Sequence, residues 1–184
     1  MARLLRIKLP IDGPFVIIPE VYYDHRGYFM ETFSERDFKE IGITKSFVQD
    51  NESYTKKRGT IRGLHYQIAP KPQAKLVRCV RGSVFDVMVD IRPGSPTFGR
   101  WTAVILNEFN HKQVYIPEGF AHGFQSLTDD VIVAYKVTEF YYREFDRAIR
   151  WNDPEIGISW PFDNPILSEK DRNAPLLKEA ELIF

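Results

Sequence analysis

At 184 residues the chain is long enough for one domain with a sizeable core and too short for two ordinary domains plus a linker, so residues 1–184 are expected to form one unit. Apolar residues at 43%, with 14% aromatic, exclude a disordered chain, and 25 basic residues against 25 acidic ones leave no global field to draw nucleic acid or an anionic membrane surface. The N-terminus lacks a signal-peptide pattern and no segment reaches transmembrane length, which makes the cytoplasm the expected location.

In chain order, the first strand candidate is Phe15 to Ile18. Ser34 followed by Glu35, Arg36 and Asp37 predicts a capped short helix through about Glu40, ended by Gly42. A strand from Gly59 to Tyr66 follows, then an expected hairpin joining Lys75–Val80 to Ser83–Ile91 across Arg81-Gly82. Its second arm sets Phe85, Val87, Val89 and Ile91 on one face, and its first holds the lone cysteine, Cys79, as a small core side chain. Arg92-Pro93-Gly94-Ser95-Pro96 stops that arm. Trp101–Leu106, Gln113–Ile116 and Val131–Thr138 are further strands, Ser168 opens a second short helical turn, and the last twenty or so residues are expected to pack outside. Seven or more short strands with little helix predict an all-β jelly-roll barrel with a few short helices.

Two of the four histidines lie in glycine-flanked segments, His65 in RGLHYQ and His122 in PEGFAHGF, where glycine permits close approach of backbone or ligand. A barrel with two such strands invites a metal-site reading, but Gln67 stands where an H-x-H pair needs its second histidine, and residues 70–75 offer Lys and Gln instead of a carboxylate. General acid–base chemistry remains, for which histidine oriented by a carboxylate is the best-matched base near neutral pH, with Asp171 as candidate partner. Tyr135 shares parity with Val131, Val133 and Val137 and points inward if they do, a position that also suits an ordinary core tyrosine. Arg26, Arg62, Lys75, Arg78, Arg81 and Lys170 lie near these segments, though most surface cations are simply solvated.

The segments RGLHYQ, KPQAKLVRCVRGSVFDVMVDIRPGSPTFGRW, IPEGFAHGF, YKVTEFYY, IRWNDPEIGISWP and LSEKDRNAPLL together resemble the dTDP-4-dehydrorhamnose 3,5-epimerase family of cupins, from about Asp12 to Leu177. The resemblance implies a homodimeric cupin jelly roll that uses neither metal nor cofactor. Its partner molecule would be a dTDP-linked 4-keto-6-deoxysugar, with dTDP-4-dehydro-6-deoxy-D-glucose converted to dTDP-4-dehydro-L-rhamnose. It also implies that His65 is the base, Asp171 its partner and Tyr135 the acid. Lys75 and Arg62 would serve the sugar, its oxyanion or the diphosphate, His122 would touch substrate, and Tyr141 would stack on thymine. Arg26 and Glu31 in DHRGYFMETF, and Gln49, Asp50 and Asn51 in VQDNES, would contact the nucleotide sugar, with Asp146 and Lys170 as further binding positions.

Glu52 stands where many members carry histidine, and the interval from Gln49 to Arg62 is one residue longer than the family pattern. Arg62 and His65, three apart, would face opposite sides of a regular strand, so a bulge at Gly63 or a loop position for Arg62 is expected. The alternatives are an epimerase acting at C3 alone or C5 alone, and a sugar-nucleotide-binding barrel without catalysis.

Overall fold

The computed structural model describes residues 4–184. Its strands are β1 (Leu5–Lys8), β2 (Phe15–Ile18), β3 (Val21–Asp24), β4 (Gly27–Met30), β5 (Gln49–Thr55), β6 (Ile61–Gln67) and β7 (Lys75–Arg81). The second half adds β8 (Ser83–Asp90), β9 (Trp101–Asn107), β10 (Gln113–Ile116), β11 (Phe120–Ser126), β12 (Val131–Val137) and β13 (Asp146–Ala148). Two short helices, α1 (Glu35–Glu40) and α2 (Glu169–Arg172), start where the capping serines predict: Ser34 accepts from the Asp37 N–H and Ser168 from the Asp171 N–H. Gly42, at φ 99°, follows α1 in the left-handed region that ends helices.

Two antiparallel sheets face one another, as a jelly roll requires: a six-stranded sheet ordered β1-β2-β10-β7-β12-β5 and a five-stranded one ordered β13-β6-β11-β8-β9. Between them lies a core that includes Val77 and Cys79 of β7, Val84 and Met88 of β8, Phe124 of β11 and Val131 and Val133 of β12. The outer face of the six-stranded sheet is closed by Phe38 of α1 and Ile43 against Phe15, Ile17 and Leu76. The outer face of the five-stranded sheet, with Leu64, Tyr66, Val87 and Val89, is covered by Ile149, Ile156, Trp160, Leu177 and Leu182. That covering explains why β11 is buried along its whole length, since a strand sandwiched on both faces has no solvent side. The C-terminal residues thus pack outside the barrel, as the sequence suggests.

One expected feature is overturned. β7 and β8 do not form a hairpin: β7 pairs with β10 and β12, whereas β8 pairs with β11 and β9. The chain crosses from one sheet to the other at Arg81-Gly82, and Gly82 (φ 77°) sits so close to Thr128 and Val131 that a Cβ there would lie 2.6 Å from the threonine hydroxyl. Two apolar runs separated by a tight glycine turn read alike whether the turn folds a hairpin or rounds a sandwich corner. The alternation in the second arm is correct, but Phe85, Val87, Val89 and Ile91 face the C-terminal cover, and Val84, Asp86 and Met88 point to the barrel interior.

Candidate active site

The interior is open at one end, where a cavity of about 430 Å³ is lined by residues including Arg62, His65, Lys75, His122, Tyr135 and Asp171. A second lobe of about 290 Å³ shares His65, Lys75 and Tyr135 and continues to Gln49, Asn51, Tyr141, Asp146 and Lys170. Of the residues singled out from sequence, eleven of fourteen therefore line one two-lobed cleft.

A bulge brings His65 and Arg62 to the same side. His122 pairs with His65 and Phe124 with Arg62, so three residues of β6 are spanned by two steps of β11, with Gly63 as the extra residue. Gly63 has φ 125°, and a Cβ there would stand 2.5 Å from the Gly123 Cα and 2.7 Å from the His122 carbonyl oxygen, so both glycines are needed for the strands to approach. Arg62 then reaches across to β5, donating to Thr55 Oγ1 at 3.0 Å and the Tyr54 carbonyl at 2.8 Å.

His65 Nε2 lies 2.5 Å from Asp171 Oδ1, and the carboxylate side chain is 3% exposed against 33% for the imidazole. Asp171 comes from α2, whose Ser168 cap fixes the turn, and its second oxygen accepts the Gly63 N–H at 3.3 Å. Burial pushes the Asp171 carboxyl up, but hydrogen bonding and charge from His65, with help from Gly63 and Ser168, outweigh it and hold the pKa below the ordinary value. Behind the reactive space, burial pushes Lys75 down to about 8 although Asp146 and Asp86 draw it upward. Its Nζ is 3.5 Å from the His65 carbonyl oxygen. Tyr135 stands opposite on β12 beside Asn51 of β5 and Val77 of β7, facing inward with Val131 and Val133, and burial raises its pKa while Arg62 pulls it down.

Three residues do not come to the cleft. Asp50 alternates outward on β5 and pairs with Lys136 at 2.7 Å. Arg26 sits at the turn of the β3–β4 hairpin, bound to Asp24, and Glu31 follows that hairpin; neither lines the cleft of its own chain. Glu52 also alternates outward, and β5 runs in unbroken register with β12 from Gln49 to Thr55, which leaves Gln49 and Asn51 facing in.

Other cleft residues escaped the sequence reading. Ser53 and Gln67 line the lobes, and Asp86, fully buried behind them, pairs with His122 Nε2 at 2.9 Å. The signals were present: Asp86 carries the parity of Val84 and Met88, and Gln67 that of His65, so each places a polar side chain on the inward face. Among the described residues no three His, Cys, Asp or Glu side chains converge as a metal site, and no helix is long and apolar enough to cross a membrane.

Comparison with known proteins agrees with this arrangement. Residues 8–179 match the profile of the family described as dTDP-4-dehydrorhamnose 3,5-epimerase. The chain is 55% identical over 182 residues to the dTDP-4-dehydrorhamnose 3,5-epimerase of Methanothermobacter thermautotrophicus, covering 97% of each. Among solved structures it is similar to the Bacillus anthracis dTDP-4-dehydrorhamnose 3,5-epimerase with TDP and PPi bound (45% identity, TM-score 0.93, 95% of this chain and 99% of that one). It is similar also to the Legionella pneumophila dTDP-6-deoxy-D-glucose-3,5-epimerase in complex with dTDP-4-keto-L-rhamnose (45%, TM-score 0.93, 97% and 95%). With a family match over nearly its whole length and relatives this similar in sequence and fold, the chain belongs to the dTDP-4-dehydrorhamnose 3,5-epimerase family of isomerases.

Proposed function

We propose that the protein, with residues 1–184 acting as one domain, inverts C3 and C5 of dTDP-4-dehydro-6-deoxy-D-glucose by proton transfer through an enolate. The observation that carries this reading is the placement of base and acid on facing sheets, His65 on the five-stranded sheet and Tyr135 on the six-stranded one, across a shared cavity. Inversion needs a proton removed from one face of the ring and returned to the other, and two opposed walls supply those faces.

The C4 carbonyl acidifies the protons on both neighbouring carbons, so one base can serve C3 and C5 in turn. His65, with Nε2 committed to Asp171, offers Nδ1 for abstraction, and the carboxylate stabilises the imidazolium that forms. Lys75, still largely cationic at neutral pH with its pKa at about 8, donates to the developing O4 oxyanion, and its own burial strengthens that interaction. Tyr135, kept protonated by its burial, delivers the proton to the opposite face. Proton transfer alpha to a ketone requires no redox partner, and Gln67 stands where an H-x-H pair with His65 would need its second histidine, so turnover is expected to survive exhaustive chelation.

Arg62, His122, Gln49, Asn51, Asp146 and Lys170 bind the sugar and diphosphate in this reading, with Tyr141 as the platform for the base. Arg26 and Glu31 reach the partner's cleft in a homodimer. Among the described residues the β3–β4 hairpin pairs with no other strand, and it exposes Tyr22, Tyr23, Tyr28 and Phe29, the last to 69%, which supports a covering copy. Sedimentation at micromolar concentration is expected to give a dimer. The cytoplasmic location expected from sequence belongs to the same proposal.

Incubation with dTDP-4-keto-6-deoxyglucose in deuterated water tests the reaction: deuterium should enter at both C3 and C5. Label at one carbon alone would make this a narrower epimerase, and none would make it a binding barrel.

A further inference from the structure

Between the end of β12 at Val137 and the start of β13 at Asp146, the stretch carrying Tyr141 belongs to no strand, and side chains bond much of the backbone immediately around Tyr141. The Glu139 carbonyl accepts from Gln73 Nε2 at 2.8 Å, and the Tyr141 N–H donates to Gln49 Oε1 at 3.2 Å. Gln67 does most: its Nε2 donates to the Phe140 carbonyl at 3.1 Å and the Lys71 carbonyl at 2.7 Å, while its Oε1 accepts the Tyr142 N–H at 2.8 Å. Three glutamines thus stand where a neighbouring strand would, and Gln67, 3% exposed, is the buried one that grips the backbone on both sides of Tyr141.

We propose that Gln67 is a positioning residue for nucleotide binding: through the Phe140 and Tyr142 backbone it holds Tyr141 at the rim of the cleft, at a spacing from His65 fixed by strand β6. Gln67 and His65 are two apart on one face of that strand, which sets them about 7 Å apart along it. The reactive base and the anchor of the aromatic platform therefore share one rigid element, and Tyr141 itself, 54% exposed and tied by its hydroxyl to Asp146 at 3.2 Å, has little else to define its place. The inference rests on the reading of Tyr141 as the platform for the base.

Gln67→Glu keeps the shape and can still accept from Tyr142, but it loses the amide N–H pair that bonds the Phe140 and Lys71 carbonyls: ionised it can donate to neither, and protonated to one at most. With dTDP as the titrated ligand, Gln67→Glu and Tyr141→Ala should each weaken binding by about tenfold, and the double variant should be no weaker than Tyr141→Ala alone. In turnover the loss should appear in KM, with kcat for α-proton exchange falling far less, a split that a general loosening of the barrel would not produce. Weakened binding in Tyr141→Ala with unchanged affinity in Gln67→Glu overturns the positioning role alone; unchanged affinity in Tyr141→Ala overturns the platform reading and this proposal with it. Should Gln67→Glu fail to fold, amide exchange in the native protein decides: the Tyr142 N–H should be protected well above the level of an open loop, and exchange at the open-loop rate overturns the proposal.

Discussion

Two histidine–aspartate pairs lie side by side in this barrel, and they differ in what is buried. His65 and His122 are direct cross-strand partners on β6 and β11, so both imidazoles project to the same face. In the first pair the imidazole side chain is 33% exposed to the cleft and the carboxylate 3%; in the second the values are 9% and 0%. Asp171 has both oxygens engaged, by His65 and by the Gly63 N–H, whereas Asp86 Oδ1 has no partner. A base needs an imidazole that can reach the substrate and a counter-charge firmly held behind it, and the first pair meets both conditions. The second is shaped to present a nearly buried ring as a fixed contact.

The strongest way to break that contrast is to remove each imidazole in turn. His65→Asn should abolish both solvent exchange and epimerised product, by about 10³-fold or more, because the base and the charge stabilisation it organises are lost together. His122→Asn should cost about 10–100-fold, mainly in kcat/KM, as a lost substrate contact does. Equal losses in the two variants, measured by deuterium incorporation and product formation, would mean that the exposure difference does not separate their roles.

Tyr135→Phe sharpens the contrast between the two walls. Its product formation should fall by about 10²-fold, yet His65 can still remove a proton, so wash-in of deuterium with retained configuration should survive. Circular dichroism must first show both variants folded, since Tyr135 packs against the core. The same residual exchange and the same residual epimerisation in His65→Asn and Tyr135→Phe would remove the distinction between base and acid.

Lys75 tests the interior that both walls share. Its folded pKa of about 8 lies below the unfolded value of 10.5, so between those limits the unfolded chain holds the additional proton and the stability contributed by this group rises with pH. Below pH 8 the buried cation is at its most costly, on the order of 3 kcal/mol at roughly 1.4 kcal/mol per pKa unit. Activity should run the other way, declining as pH rises through about 8 and the ammonium is lost. Lys75→Met should therefore be inactive but more stable than the native protein at pH 7, with the gap in denaturant unfolding closing towards pH 10.5. A variant less stable at pH 7 would show that Lys75 is not the strained group its burial indicates.

How much of this was readable in advance depended on whether the signal was local. Caps, parity and turn residues are local, so Ser34, Ser168, the inward face of Tyr135 and the irregularity at Gly63 follow from the sequence with little more than strand geometry. Which strands pair is not local: the Arg81-Gly82 turn carries the chemistry of a hairpin but rounds a corner, because β10 and β12 occupy both edges of β7. The Asp171–His65 contact spans 106 residues, so the residues alone could offer Asp171 only as a candidate partner, and the resemblance gave the pair its roles. Gln67 and Asp86 were passed over because a lone glutamine or aspartate in an apolar strand has no motif of its own, although parity places each on the inner face.

Asp50 separates what resemblance implies from what the strand dictates. It lies between Gln49 and Asn51 in a segment matched to nucleotide-sugar contacts, but consecutive residues of a strand point to opposite faces, and β5 is regular throughout. Gln49 and Asn51 face the cleft, so Asp50 must face away, where its side chain is 72% exposed and pairs with Lys136. An exposed pair of this kind contributes on the order of 0–1 kcal/mol to stability and nothing directly to a ligand on the other side of the sheet. Asp50→Ala should then change kcat/KM by no more than about twofold, with stability nearly unaltered, whereas Asn51→Ala, which removes the residue paired with Tyr135, should lower kcat/KM by about tenfold. A tenfold loss in Asp50→Ala, measured in the same epimerisation assay on folded protein, would mean that the outer face of β5 meets substrate or a partner copy, and the parity argument that excludes Asp50 and Glu52 from the site would fall.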